Sequence, residues 1–171
     1  MNVLSMETKD DISREEVIAK RAALAQLDFG DLPKRLGMWL KRAQLASFQA
    51  YFEFFGDDAL RPGEFSSLYL IWKNPGIRQG VLGEAVAIKR ANMAKIIRSF
   101  ERTGLVTRSV PDDDRRAVEL YLTPTGQKLV AKYSHRAREQ DEAFFGILSA
   151  DEAKTFKSLL RKLVSDLDRI V

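Results

Sequence analysis

The chain has 171 residues, 45% of them hydrophobic and 30% charged, a balance that fits a globular protein with a real core and excludes a disordered one. It has no cysteine and a single histidine, which excludes disulfides, thiolate chemistry and the common zinc modules, so no cofactor is expected. The net charge is only +4, no apolar run approaches the ~20 residues of a membrane span, and the N-terminus lacks a basic-then-apolar leader; a soluble, cytoplasmic protein is expected.

In chain order, residues 1 to about 12 are polar and expected to be loose. Ser13 and Glu16 have capping-box spacing ahead of Val17, Ile18, Leu24 and Leu27, which predicts a short first helix. Phe29-Gly30-Asp31-Leu32-Pro33 breaks it. A long helix is predicted from about Lys34 to Phe55, with Leu36, Trp39, Leu40, Ala43, Phe48, Phe52 and Phe55 on its apolar side and Gly56-Asp57-Asp58 as its stop. Pro62, in the favoured first turn, opens a helix that carries Phe65, Leu68, Tyr69 and Trp72 to the stop at Asn74-Pro75-Gly76.

Two helices follow over about 79–86 and 90–103, with Gly104 as the C-terminal cap. The runs 105–110 and 117–122 are β-branched or alternating around a polar tip, the mark of a hairpin. Thr123 and Pro124 supply N-cap and N1 for another long helix, ending near Leu148. Ser149 and Glu152 form a second capping box. The final helix places Phe156, Leu160, Leu163, Leu167 and Ile170 at alternating steps of four and three, a coiled-coil-like spacing.

The stretch 79–123 carries the most information. Met93, Ile96, Ile97 and Phe100 fall at i, i+3, i+4 and i+7, a buried helical stripe. Lys89, Arg90, Asn92, Lys95 and Arg98 occupy much of the remaining surface. Between Lys89 and Arg108 there are six basic residues and one acidic, the local patch that phosphate neutralisation needs. Such a cluster on its own is as readily a solvated helix face. With a helical lead-in and a hairpin directly behind it, a helix for the DNA major groove is the better reading. Arg90, Asn92 and Lys95 are candidates for base edges, and Lys89, Arg98 and Arg108 for phosphates. Gln79 heads the preceding helix, where its side chain or the helix N-terminus meets phosphate. At the hairpin tip, a carboxylate among Asp112, Asp113 and Asp114 can orient Arg115 or Arg116 for the minor groove; the alternative is an ordinary solvated turn.

Leu82-Gly83-Glu84-Ala85-Val86, Ile88, the run from Phe100 to Arg108, Asp114-Arg115-Arg116, and Leu120-Tyr121-Leu122-Thr123 with Gly126 resemble the MarR (multiple antibiotic resistance regulator) family over about Phe65 to Leu129. The resemblance implies a mainly α fold with a small β-hairpin wing: a winged helix-turn-helix domain over 61–123, flanked by long dimerisation helices over 34–60 and 124–171, with a tail and short helix over 1–33. It also implies a homodimer whose binding to DNA is relieved by a small ligand. Asp114 and Arg116 occupy the family's Asp-x-Arg wing positions. One departure is Ala87, where glycine is common; alanine fits if the backbone there avoids a strongly positive φ.

Aromatic residues concentrate on the two helices ahead of this unit. Most apolar stripes of this kind are core or dimer interface. The resemblance offers the alternative of an effector pocket, with Trp39, Arg42, Phe48, Phe52, Phe65, Tyr69 and Trp72 as candidates and Arg35 beside them as a carboxylate or phosphate partner. Leu40-Lys41-Arg42-Ala43-Gln44 and Asn74-Pro75-Gly76 resemble a branch of the family that senses aromatic acids or their coenzyme A thioesters.

His135 lies among Lys132, Arg136 and Arg138, as an exposed helix residue would. No nucleophile motif, glycine-rich phosphate loop or carboxylate pair stands out, so no enzyme is expected. The expectation is a homodimeric, ligand-responsive transcription repressor on a pseudo-palindromic duplex operator, released by a small aromatic acid or its CoA thioester. The alternatives are a constitutive architectural DNA binder without an effector and a winged-helix protein–protein module.

Overall fold

The computed structural model describes residues 14–56, 59–110 and 118–167. The helices are α1 (Arg14–Ala25), α2 (Leu36–Phe55), α3 (Pro62–Lys73), α4 (Gln79–Ala85), α5 (Arg90–Arg102), α6 (Pro124–Phe145) and α7 (Ala150–Leu167); the strands are β1 (Ile77–Arg78), β2 (Val106–Ser109) and β3 (Glu119–Leu122). None of the described helices is long and apolar enough to cross a membrane. The chain divides into two units, 1–44 and 45–171.

In the first unit, Leu32–Lys34 forms a 3-10 turn rather than the start of the long helix. Pro33 supplies the tight turn, and Arg35 is extended (φ −90°, ψ 120°) with its amide on the Leu32 carbonyl at 3.0 Å, so α2 begins only at Leu36. Ile18, Leu24, Leu27, Leu36, Trp39 and Leu40 are each half or more exposed.

The second unit holds the core. Leu68 and Ile71 from α3, Leu82 from α4, Met93, Ile97 and Phe100 from α5, Val106 from β2, Leu120 from β3 and Val130 from α6 pack into one cluster. Each such side chain contributes roughly 1.5–3 kcal/mol on burial. The expected stripe of α5 is therefore the buried one, with Ile96 partly covered.

Local chemistry sets the boundaries. The amide of Arg61 donates to the Glu64 carboxylate at 2.9 Å and opens α3. The Thr123 hydroxyl accepts from the Gly126 amide at 3.0 Å and caps α6 behind Pro124. At α7 the Ser149 amide donates to the Glu152 carboxylate (2.8 Å) and the Glu152 amide to the Ser149 hydroxyl (3.3 Å), the expected reciprocal box. The Ser149 amide first, and then the Ser149 hydroxyl, hold the Glu152 carboxyl below the usual glutamate range. Gly104, at φ 69°, closes α5: its amide donates to Glu101 O (3.0 Å) and that of Leu105 to Phe100 O (2.8 Å), a Schellman turn.

The sheet has three antiparallel strands in the order β1-β3-β2. β3 faces β2 with Val106 opposite Leu122 and Ser109 opposite Glu119, and faces β1 with Ile77 opposite Leu120. β1 was not expected; its two residues follow Asn74-Pro75-Gly76 and are held by the Gly76 amide on Leu120 O (2.9 Å) and the Gln79 amide on Val118 O (3.0 Å).

Candidate nucleic-acid interface and aromatic pocket

α4 and α5 meet at a tight turn. Ala85 ends α4 and Val86 caps it; the amide of Ala87 donates to Glu84 O (3.1 Å) and that of Ile88 to Gly83 O (2.8 Å). This is the same Schellman arrangement as at Gly104, but the left-handed position is held by alanine, at φ 53°. The expectation that Ala87 avoids positive φ is thus corrected. The two hydrogen bonds and the packing of Val86 and Ile88 against the core offset a left-handed penalty of roughly 1–2 kcal/mol.

Beyond that turn α5 buries Met93, Ile97 and Phe100 and leaves Lys89, Arg90, Asn92, Lys95 and Arg98 exposed. Lys89 is the N-cap, and its carbonyl accepts from the Asn92 (2.9 Å) and Met93 (3.0 Å) amides. A groove of about 760 Å³ runs along the starts of α4 and α5, with Arg78, Gln79, Lys89 and Arg90 among its walls. The Gln79 side chain is half-buried there, and its own amide is spent on Val118. Arg108, on β2, forms a 2.9 Å ion pair with Glu101 in the last turn of α5, so its guanidinium is oriented by a carboxylate. Asp114, Arg115 and Arg116 lie outside the described residues.

Of the aromatic candidates, Trp39 and Arg42 belong to the first unit. The Trp39 indole donates to Pro33 O at 2.7 Å, and the Arg42 guanidinium lies 5.8 Å from the centre of its ring. Arg35 and Arg42 are exposed.

The second unit carries a continuous train of rings. Phe52 meets Tyr51 edge-on (5.5 Å between centres), Tyr51 meets Phe55 (4.5 Å), and Phe55 stacks on Tyr133 of α6 (5.1 Å, 3° between planes). Tyr133 then meets Phe65 (6.1 Å), Phe65 meets Tyr69 (5.9 Å), and Tyr69 meets Trp72 (5.9 Å). Phe48 stays exposed on α2. Phe65 and Tyr69 line a cavity of about 360 Å³ with Gly63, Ser66, Ala85 and Val86. Trp72 lies outside it, packed on the core with the Lys73 ammonium 4.1 Å from its ring centre.

Tyr133 joins the two aromatic groups and was missed from sequence. Its signal was the apolar stripe Leu129, Val130 and Tyr133 on α6, which the polar residues around it disguise. Its hydroxyl accepts from the Leu60 amide (3.2 Å), while the Tyr51 hydroxyl donates to the Leu60 carbonyl (2.8 Å). Burial first, then Tyr133 and Glu64, pushes the Tyr51 phenol up to about 12. Arg136 lies 5.0 Å from the Phe55 ring centre and donates to Phe54 O at 3.1 Å. His135 is exposed and 3.2 Å from Glu139.

The MarR family profile matches residues 60–118. A candidate transcriptional regulatory protein for the hcr operon of Thauera aromatica is 32% identical over 141 residues, covering 82% of this chain and 85% of that one. The transcriptional repressor CouR bound to a 23-mer DNA duplex is 30% identical, with a TM-score of 0.75 over 81% of this chain and 99% of the other. CouR bound to p-coumaroyl-CoA aligns at 28% identity and a TM-score of 0.73, over 81% and 98% of the two chains. These relatives are transcription regulators. A family pattern lying across the described helix-turn-helix, and a relative alike over most of both chains, establish that this chain belongs to the MarR family of DNA-binding transcription regulators.

Proposed function

We propose that this regulator is a ligand-responsive repressor that binds a pseudo-palindromic operator as a homodimer and is released by a small aromatic acid or its CoA thioester. The observation that carries it is α5, a helix anchored by Met93, Ile97 and Phe100 with exposed Lys89, Arg90, Asn92, Lys95 and Arg98 on its other side. Its dimensions suit the major groove, and two copies about 34 Å apart meet successive grooves of one duplex. In this assignment Arg90, Asn92 and Lys95 reach base edges. Lys89, Arg98, Arg108 and Gln79 meet phosphates, and the wing residues Asp114, Arg115 and Arg116 serve the adjacent minor groove.

Residues 61–123 then form the DNA-binding domain, with 34–60 and 124–171 as dimerisation helices behind the tail and short helix of 1–33. The exposed Leu159, Leu163 and Val164 of α7 support that division, since apolar side chains left at 56–58% exposure need a partner surface. The cavity beside Phe65 and Tyr69 supports a small aromatic effector: its walls are mostly apolar and its volume lies at the lower end for ligand sites. The ligand of CouR supports the same chemical class. Phe48, Phe52 and Trp72, in the same unit as this cavity, remain candidate contributors. Such a ligand acts only through unequal affinity for the DNA-competent and released arrangements.

The test pairs two measurements. A duplex selected from a random pool is titrated by fluorescence anisotropy, and a panel of benzoate, p-coumarate and p-coumaroyl-CoA is screened by thermal shift. Selective binding to a two-fold duplex, a raised melting temperature with one compound, and release of DNA by that compound are expected. DNA affinity untouched by every compound that binds refutes the effector function. Absence of sequence selectivity refutes the operator.

A further inference from the structure

We propose that the strained turn at Ala87 is the hinge through which occupancy of the aromatic cavity alters the recognition helix of the same winged domain, a regulation that takes the proposed effector function as its premise. The cavity wall includes Ala85 and Val86, the last residue and the cap of α4. Ala87, with φ 53°, comes next, then Ile88, and then Lys89, the N-cap of α5. A ligand touching Val86 therefore sits three residues from the start of the helix that carries Arg90 and Asn92.

The far side of the turn leads back to the same cavity. Gly63, another wall residue, lies so close to Ile88 that a Cβ there would come within 3.1 Å of the Ile88 Cδ1. Both flanks of Ala87 are thus in contact with elements that a ligand would press.

The turn is near balance. It is held by the Ala87 and Ile88 amides on Glu84 O and Gly83 O, and the cost of a left-handed alanine is of the same order as those bonds. The matching turn at Gly104 carries no such strain, because glycine enters that region freely. Ligand pressure on Val86 lets Ala87 leave the left-handed region, breaks the two bonds and swings the N-terminus of α5. Two discrete turn conformations, biased by one ligand, are all that this switch requires.

Amide hydrogen exchange of the full-length protein, read residue by residue by NMR, tests it. The probe is whichever of benzoate, p-coumarate and p-coumaroyl-CoA gives the largest thermal shift. Saturating probe is expected to speed exchange of the Ile88 amide relative to the Leu105 amide of the Gly104 turn. Ala87→Gly, which removes the strain, is expected to cut that acceleration about three-fold and to raise the probe concentration for half-release of DNA by a similar factor. A probe that binds and releases DNA while Ile88 and Leu105 respond alike, or while Ala87→Gly behaves as the parent, overturns the hinge and leaves the effector function standing. A panel in which nothing binds overturns both.

Discussion

Gly126→Ala separates two physical accounts of α6 by sign. Gly126 lies in the first turn of that helix, where replacing glycine by alanine ordinarily gains about 1 kcal/mol of helix propensity. Here a Cβ would press on the Leu105 carbonyl oxygen, with the carbonyl carbon at 3.1 Å and Leu122 Cδ2 at 3.3 Å. That carbonyl cannot retreat freely, because it accepts from the Thr123 amide at 3.0 Å. Overpacking of this kind costs roughly 1–3 kcal/mol, and weakening the hydrogen bond adds about 1 kcal/mol. Less the propensity gain, the net expectation is a loss of about 1–3 kcal/mol, or a melting temperature lower by ~2–4 °C per kcal/mol for a chain of this length. Gly80→Ala is the control: it is helical, with nothing within 4 Å of the added Cβ, so it should gain about 0.5–1 kcal/mol. Urea unfolding followed by circular dichroism at one protein concentration decides. If Gly126→Ala gains stability as Gly80→Ala does, the close approach of α6 to the entrance of β2 is refuted.

Other perturbations test the remaining assignments. Arg98→Ala should flatten the slope of log K against log salt by about 1.8, about 0.9 for each protomer of the proposed homodimer, while leaving sequence preference intact; an unchanged slope in anisotropy titrations removes it from the phosphate contacts. Asn92→Ala should weaken the selected duplex by roughly 1–3 kcal/mol more than random DNA, and equal losses contradict base reading. Trp72→Ala should cost about 2–4 kcal/mol in thermal unfolding, because the ring packs on the core; a stable variant with altered ligand response would instead favour Trp72 as an effector contact. The Tyr51 phenol titrates near 12 rather than 10.0. Its folded value exceeds its unfolded one, so its contribution is fully present below pH 10 and is lost as pH rises to about 12. Tyr51→Phe should therefore cost about 1 kcal/mol at neutral pH and show a shallower alkaline decline between those values.

Much of the fold was legible because its signals are local. Thr123 with Pro124, Ser149 with Glu152, and Gly104 each mark a boundary through a hydrogen bond formed within a few residues, and the spacing of Met93, Ile97 and Phe100 fixes which face of α5 is buried. β1 was not legible, because two residues carry no periodicity and their pairing partner lies some forty positions away at Leu120. Ala87 went against its own propensity: the turn between two core-packed helices overrides what alanine prefers alone. The aromatic candidates were visible as residue types but not as an arrangement. Only the stacking of Tyr133 reveals that Phe55 and Phe65 belong to one train, while Trp72 faces the core.

The central place of β3 has a mechanical consequence. One edge of that strand is laced to β2 and the other to β1, which leads straight into α4. The roots of the wing and of the helix-turn-helix are therefore splinted by a single ladder before any duplex arrives. Ordering of one root relative to the other is met during folding rather than at encounter. With the wing and α5 both on DNA, as proposed, a duplex whose groove spacing is stretched or compressed must itself deform to fit, and DNA stiffness between the two contacts becomes a source of selectivity.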